Sequence, residues 1–365
     1  MINNLNKILQ DTRVKPHQIR YIAGFNINAL VNIYLIDIRN IEKYFKFDNI
    51  FHKLNKLYKT KQYQIIFWAR DDSCIIQEII EKIIEYLQIP IIYFISTEDD
   101  IFKLPNYGTW KVLETEFINL DKYNSFYVGN NYGLLDTINN TKKGFSEIDS
   151  SDIKFAINLG LLFYSPKEYF RNIPKSKNYL VDTYGIDIFK KYCTFGTYKK
   201  HPPYIPNKLE FIMCIGPPSS GKTHYINRYY NLIHYHHLEA KYFDNNFIKQ
   251  TIQSNLDKKK SIILEGTYQT LEKRAEVLGY IDKFRPIIKC IKCINLNVGI
   301  DLCRHLNNFY MKKTNNQKVP SKVFKKYQQT VQYPYFHEGF DEVIDISFEP
   351  HFNNLIDYNL FFEYS

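Results

Sequence analysis

The chain has 365 residues, 45% hydrophobic and 24% charged, the balance of a globular protein long enough for two cores. No apolar run approaches the roughly 20 residues a membrane span needs. The first residues lack a signal-peptide pattern, and six cysteines in this length exclude a disulfide scaffold. An intracellular chain, cytoplasmic or nuclear, with reduced thiols is expected. The net charge of +10 suits a polyanionic partner such as nucleic acid, with a solvated lysine surface as the alternative.

In chain order, residues 22–28 read as a strand opening into a turn, and residues 64–68 as a short buried strand. Apolar spacing turns helical between 75 and 87. Residues 91–95 and 125–129 are further β-rich runs. Strands alternating with helical segments predict a parallel α/β sheet. The pattern breaks between 174 and 206, ending in the Pro-rich stretch 201–206, which reads as a linker. A second α/β run starts at Leu209. Two α/β domains are therefore expected, over 18–175 and 208–348, with a linker at 176–207 and a tail at 349–365.

Cys290, Cys293, Cys303 and His305 supply the count of a zinc site. The alternating pattern of residues 290–296 is a strand pattern, however, and puts the two cysteines of the CxxC on opposite faces.

The strongest motif is Gly216-Pro217-Pro218-Ser219-Ser220-Gly221-Lys222-Thr223, a match to GxxxxGK[ST]. An apolar strand (211–215) precedes it and a helical segment (224–232) follows, which is the context the motif requires. Gly216 and Gly221 let the backbone wrap an anion. Amide groups of the loop, Ser219 and Ser220 included, then face phosphate oxygens. Lys222 reaches the β- and γ-phosphates of ATP and Thr223 binds Mg2+. Downstream, Asp244 ends a short strand-like segment and is placed to take a proton from an attacking hydroxyl. Glu265 ends the buried run 262–265, where Mg2+-bound water or substrate is held. The basic segment 301–313, with Arg304, Lys312 and Lys313, reads as a lid that spreads phosphoryl charge, or else as a solvated helix.

These blocks, in this order, resemble the polynucleotide kinase/3′-phosphatase family. The resemblance runs through GPPSSGKT, Asp244, the Ile263-Leu264-Glu265-Gly266-Thr267 segment, the lid-like Cys303-Arg304-His305-Leu306-Asn307-Asn308-Phe309, and Glu338-Gly339-Phe340. It implies a C-terminal P-loop kinase domain with a parallel sheet. The implied activity transfers the ATP γ-phosphate to 5′-hydroxyl ends of DNA or RNA, in end repair, with Mg2+. Asp244 falls on the family's general base and Arg274 on a family arginine. Glu265, Arg274 and Lys312 are the expected substrate contacts. The family's lid has further arginines where this chain has Asn308 and Tyr310.

The N-terminal half resembles the family's phosphatase domain, a Rossmann-like fold of the haloacid dehalogenase class. The matching blocks are Lys103-Leu104-Pro105-Asn106-Tyr107-Gly108-Thr109-Trp110, Tyr127-Val128-Gly129 and residues 155–160 and 165–170. Here the departures set the expected chemistry. Where the family has DxDGT, this chain reads Asn26-Ile27-Asn28-Ala29-Leu30. A strand-end Ser/Thr is replaced near Trp68, and the metal-binding Asp is Asn130. Asp152 is retained. An amide is a poor nucleophile and brings no charge to a metal, so phosphatase activity is expected to be lost.

Overall fold

The computed structural model describes residues 18–21, 32–38, 47–59, 63–70, 91–96, 101–116, 120–133, 149–175, 181–184, 186–193, 202–242 and 244–365. It also describes isolated positions between 78 and 86 and at 179 and 195. The chain divides into two compact units, residues 1–183 with 363–365, and residues 184–362.

The first unit is built on a six-stranded sheet. Its strands are β1 (Gln18–Tyr21), β2 (Asn32–Asp37), β3 (Tyr63–Arg70), β4 (Ile91–Ser96), β5 (Phe126–Val128) and β6 (Leu162–Tyr164), in the order β1-β4-β3-β2-β5-β6. All neighbours are parallel except the β1–β4 edge pair. Parallel strands need cover on both faces, hence near-continuous apolar runs such as Ile65-Ile66-Phe67-Trp68. One face packs Tyr34, Ile36 and Phe67 against Ile50 and Leu54 of α1 (Phe47–Lys59). The opposite face packs Leu35, Ile66 and Trp68 against Trp110 of α2 (Gly108–Glu116) and Phe155 of α3 (Ser151–Leu159). Ser165 starts α4 (Pro166–Arg171) with a full capping box to Glu168.

The second unit has a five-stranded, wholly parallel sheet. Its strands are β7 (Glu210–Ile215), β8 (Tyr235–Glu239), β9 (Ser261–Glu265), β10 (Cys290–Leu296) and β11 (Glu342–Ile346), in the order β11-β10-β7-β9-β8. The motif strand β7 lies at the centre, and the chain crosses from its β9 side to its β10 side. That reversal opens a crevice at the carboxyl ends of the strands, where such sheets bind ligands. Helices α6 (Lys222–Tyr229), α7 (Asn245–Asp257), α8 (Leu271–Ile281), α9 (Ile300–Thr314) and α10 (Ser321–Thr330) connect them. On α7, Ile248, Ile252 and Leu256 recur every four residues and bury one stripe in the core beside Met213 and Leu264.

The expected linker contains a helix, α5 (Ile186–Tyr192). The expected tail contains another, Leu355–Phe361. Phe361 is buried there because rings of Phe348, Phe352 and Phe309 and the His305 imidazole surround it. No helix of the described residues is long and apolar enough to cross a membrane.

Candidate active site

The loop after β7 has the backbone its sequence demands. Gly216 has φ +145°, Ser219 +59° and Gly221 +90°, the left-handed region that lets successive amides converge on an anion. At Gly216 space is also limiting, since a Cβ would stand 2.8 Å from the Leu296 carbonyl oxygen. Lys222, the first residue of α6, is buried and curls back over the loop. Its ammonium donates to the carbonyls of Pro217 (2.7 Å) and Gly216 (3.2 Å). Burial lowers its pKa, with the Glu265 carboxylate opposing that shift.

Glu265, at the carboxyl end of β9, accepts from the Thr223 hydroxyl at 2.8 and 3.0 Å and lies 2.8 Å from His237 Nε2. Burial raises the Glu265 pKa, but hydrogen bonds from His237 and Thr223 and the Lys222 charge outweigh it and hold it below its ordinary value. A hydroxyl and a carboxylate together are hard oxygen donors, the kind Mg2+ takes. His237 and Glu239 escaped the sequence reading. They reach Glu265 through strand register.

Asp244 does not end a strand. Strand β8 stops at Glu239, a 3-10 turn (Ala240–Tyr242) follows, and Asp244 is the N-cap of α7. One carboxylate oxygen accepts the Phe247 amide at 2.9 Å. Its extended backbone and short acidic side chain are what an N-cap needs, and the side chain stays exposed.

Arg274, expected among the substrate contacts, braces the fold. It is 1% exposed. Nε and Nη2 hold both oxygens of Glu338, at 2.6 and 2.7 Å. Nη1 donates to the carbonyls of Tyr268 and Gln332, and Nη2 also to Tyr333. All five guanidinium N–H groups are thereby spent within the fold.

The lid-like segment forms α9 as expected. Arg304 pairs with Asp301 one turn back at 2.9 Å. Lys313 pairs with Asp357 at 2.7 Å, and Lys312 lies half-buried beside it. Asn307, which the sequence reading did not single out, ties α9 to the phosphate loop. Its carboxamide oxygen accepts from Ser219 Oγ (3.3 Å) and the Val319 amide (3.0 Å), while its nitrogen donates to the Val319 carbonyl. His305 is buried and bonded to the Phe361 carbonyl oxygen. The Cys303 thiol faces the Val298 carbonyl and the Cys290 thiol faces Glu342.

Cavities lie along α6 and along α7. One, of about 350 Å³, opens at Ser220 and Gly221 and follows α6 past Tyr225 and Arg228 to Phe348 and His351. The other, of about 710 Å³, is an open trough along α7, from Asn246 through Lys249 to Lys258, with Tyr280 on its wall.

In the first unit, Asn26 and Asn28 lie outside the described residues. The strand at the reversal point of that sheet is β2, between β3 and β5. Its terminal Asp37, missed in the sequence, pairs in register with Trp68; both are fully buried. Asn130 follows β5. Asp152, also buried, accepts from Tyr127 Oη (3.0 Å) and the Asn131 amide (2.7 Å), which anchors that loop.

Residues 39–170 match the family model for polynucleotide kinase 3 phosphatase. The chain is 27% identical over 287 residues to the bifunctional polynucleotide phosphatase/kinase of Schizosaccharomyces pombe, covering 74% of this chain and 63% of that protein. It is 24% identical over 280 residues to a putative bifunctional polynucleotide phosphatase/kinase of Acanthamoeba polyphaga mimivirus, covering 70% and 64%. A 110-residue stretch is 34% identical to the polynucleotide 3′-phosphatase ZDP of Arabidopsis thaliana, covering 27% of this chain and 14% of that protein. The chain spans less than two thirds of the length of the first two relatives. These matches bear out the resemblance read from the motifs: the chain is similar to members of the polynucleotide kinase/3′-phosphatase family.

Proposed function

We propose that the second unit transfers the γ-phosphate of ATP to 5′-hydroxyl ends of DNA or RNA, and that the first is a phosphatase-like domain without hydrolytic activity. The observation that carries the kinase reading is the phosphate loop with Lys222 buried in it and Thr223 joined to Glu265 at 2.8 Å. In the transfer, the acceptor oxygen bonds to the γ-phosphorus while the bond to the β–γ bridging oxygen breaks and ADP leaves. Asp244 takes the hydroxyl proton on the oxygen that Phe247 does not hold. Lys222 turns from the loop carbonyls to phosphate. Thr223 and Glu265 would hold Mg2+, which when bound would neutralise phosphate charge. The cavity along α6 takes the nucleoside of ATP. Arg304, whose pair with Asp301 is solvent-exposed and therefore weak, is free to turn to the transferring group, with Lys312 on the same helix.

The polyanionic acceptor is supported by the +10 charge and by the trough along α7. The trough starts two residues beyond Asp244 and carries Lys249 and Lys258 with the Tyr280 ring. Cationic groups beside an aromatic face suit a nucleic-acid strand. In the first unit, Asn26, Asn28 and Asn130 replace carboxylates, and Asp37 has no solvent-exposed surface from which to attack phosphorus.

Oligonucleotide affinity measured against salt tests the acceptor. Each neutralised phosphate contributes a slope of about −0.7 in log K against log salt, so four or five contacts lose roughly tenfold between about 100 and 200 mM. A flat response contradicts a polynucleotide acceptor and favours a small-molecule one.

A further inference from the structure

The carboxyl end of β8 brings His237 and Glu239, two donors with no part in the proposed phosphate site, up to Glu265 at the end of β9. His237 and Glu239 are two residues apart on β8, so they face the same side of the sheet. Glu239 and Glu265 are direct register partners across the β8–β9 pair. The ligand atoms of all three side chains consequently lie within 4.8 Å of one another. The His237 and Glu265 side chains are only 13% and 8% exposed. Two carboxylates held side by side repel unless a cation lies between or beside them. Lys241 supplies one such charge, 2.8 Å from Glu239, but its side chain is 61% exposed and can swing into solvent.

We propose that His237, Glu239 and Glu265 form a binding site for a divalent first-row transition-metal ion, Mn2+ or Zn2+. The imidazole decides the class. Mg2+ prefers an all-oxygen shell, whereas an imidazole with two carboxylates suits Mn2+ and Zn2+. A tetrahedral ion with bonds of about 2.0–2.2 Å holds its ligands roughly 3.4 Å apart, so small side-chain rotations close the observed cluster around it. Ligation draws Glu265 away from the Thr223 hydroxyl, which couples the ion to the phosphate loop. The site rests on these three side chains and not on the identity of the phosphoryl acceptor.

The test is calorimetric titration of the metal-free full chain with Zn2+ and, separately, Mn2+, in excess Mg2+. Loss of the free-ion Mn2+ electron paramagnetic resonance signal gives a second readout. One equivalent of either ion binds in the presence of Mg2+. His237→Gln weakens it about tenfold or more, comparable to or beyond the loss of an outer-shell partner. Glu239→Gln does the same and serves if His237→Gln fails to fold. Lys241→Met tightens binding. Parent-like affinity in both ligand variants overturns the site, as does competition by Mg2+ on equal terms. Zn2+ binding that survives His237→Gln but is lost in Cys290→Ser places the ion on the cysteines instead and also overturns it. Loss of kinase activity in the parent leaves these binding results unaffected, so the two readings fail separately.

Discussion

The Thr223 hydroxyl lies 2.8 and 3.0 Å from the two carboxylate oxygens of Glu265. That bond joins the first turn of the motif helix to the end of a neighbouring strand, 42 residues away in sequence. It places a carboxylate beside the loop proposed to meet phosphate, at the point where strand order reverses.

The bond has a pH signature. Glu265 is held below its ordinary value of 4.5 because hydrogen bonds from His237 and Thr223 outweigh burial. A depressed carboxyl contributes stability that is fully present above the ordinary value and is lost as pH falls through the folded value. Urea midpoints measured from neutral pH downward should fall more steeply below about pH 4.5 in the parent than in Glu265→Gln. Identical pH profiles would show that the carboxylate is not stabilised as described.

Lys222 and Asp244 should fail in different ways. Lys222→Ala removes a positive charge from the phosphate loop, so nucleotide affinity and turnover fall together. Asp244→Asn leaves the loop intact, so ATP still binds while turnover drops about 10²–10⁴-fold, the range for losing a general base. Turnover of Asp244→Asn within a few-fold of the parent would remove Asp244 from the base role.

Arg274→Ala should act on stability. Removing one partner of a buried pair leaves Glu338 charged and unpaired, at a cost of about 3–5 kcal/mol. Denaturant unfolding should show that loss, while the folded fraction keeps the parent Michaelis constant for ATP. A large rise in that constant with unchanged stability would return Arg274 to substrate binding.

What the sequence made legible was local. GPPSSGKT carries its own strand, turn and helix start within about fifteen residues, and the buried strands announce themselves as short apolar runs. What it hid depends on contacts made at long range. Arg274 reads as a free cation until Glu338, 64 residues on, takes its fork. His237 and Glu239 meet Glu265 only through the register of two strands. Asp244 reads as a strand end because Tyr242-Phe243-Asp244 is strand-like, although Asp followed by a helical stripe is equally an N-cap signal. Asp37 is not marked by its neighbours, whereas Asn26-Ile27-Asn28 mimics the spacing of the family motif in an earlier segment.

The first unit should release no phosphate. A 3′-phosphorylated oligonucleotide incubated with the protein and Mg2+ should yield no more phosphate than an enzyme-free control, because the proposed reading has Asn26, Asn28 and Asn130 in place of the carboxylates the reaction needs. Release that disappears in Asp37→Asn would show that the buried strand-end acid is the nucleophile and that the unit is active. Release that disappears only in Asn26→Ala would point to chemistry that tolerates an amide.

Transfer of label from γ-labelled ATP, with Mg2+, to 5′-hydroxyl oligonucleotides of DNA and RNA tests the central claim most directly. The expected result is labelled 5′-phosphate ends on at least one polymer, none on the same polymer already 5′-phosphorylated, and none with Lys222→Ala. An absence of labelled ends on either polymer, from a protein that binds ATP, would contradict it.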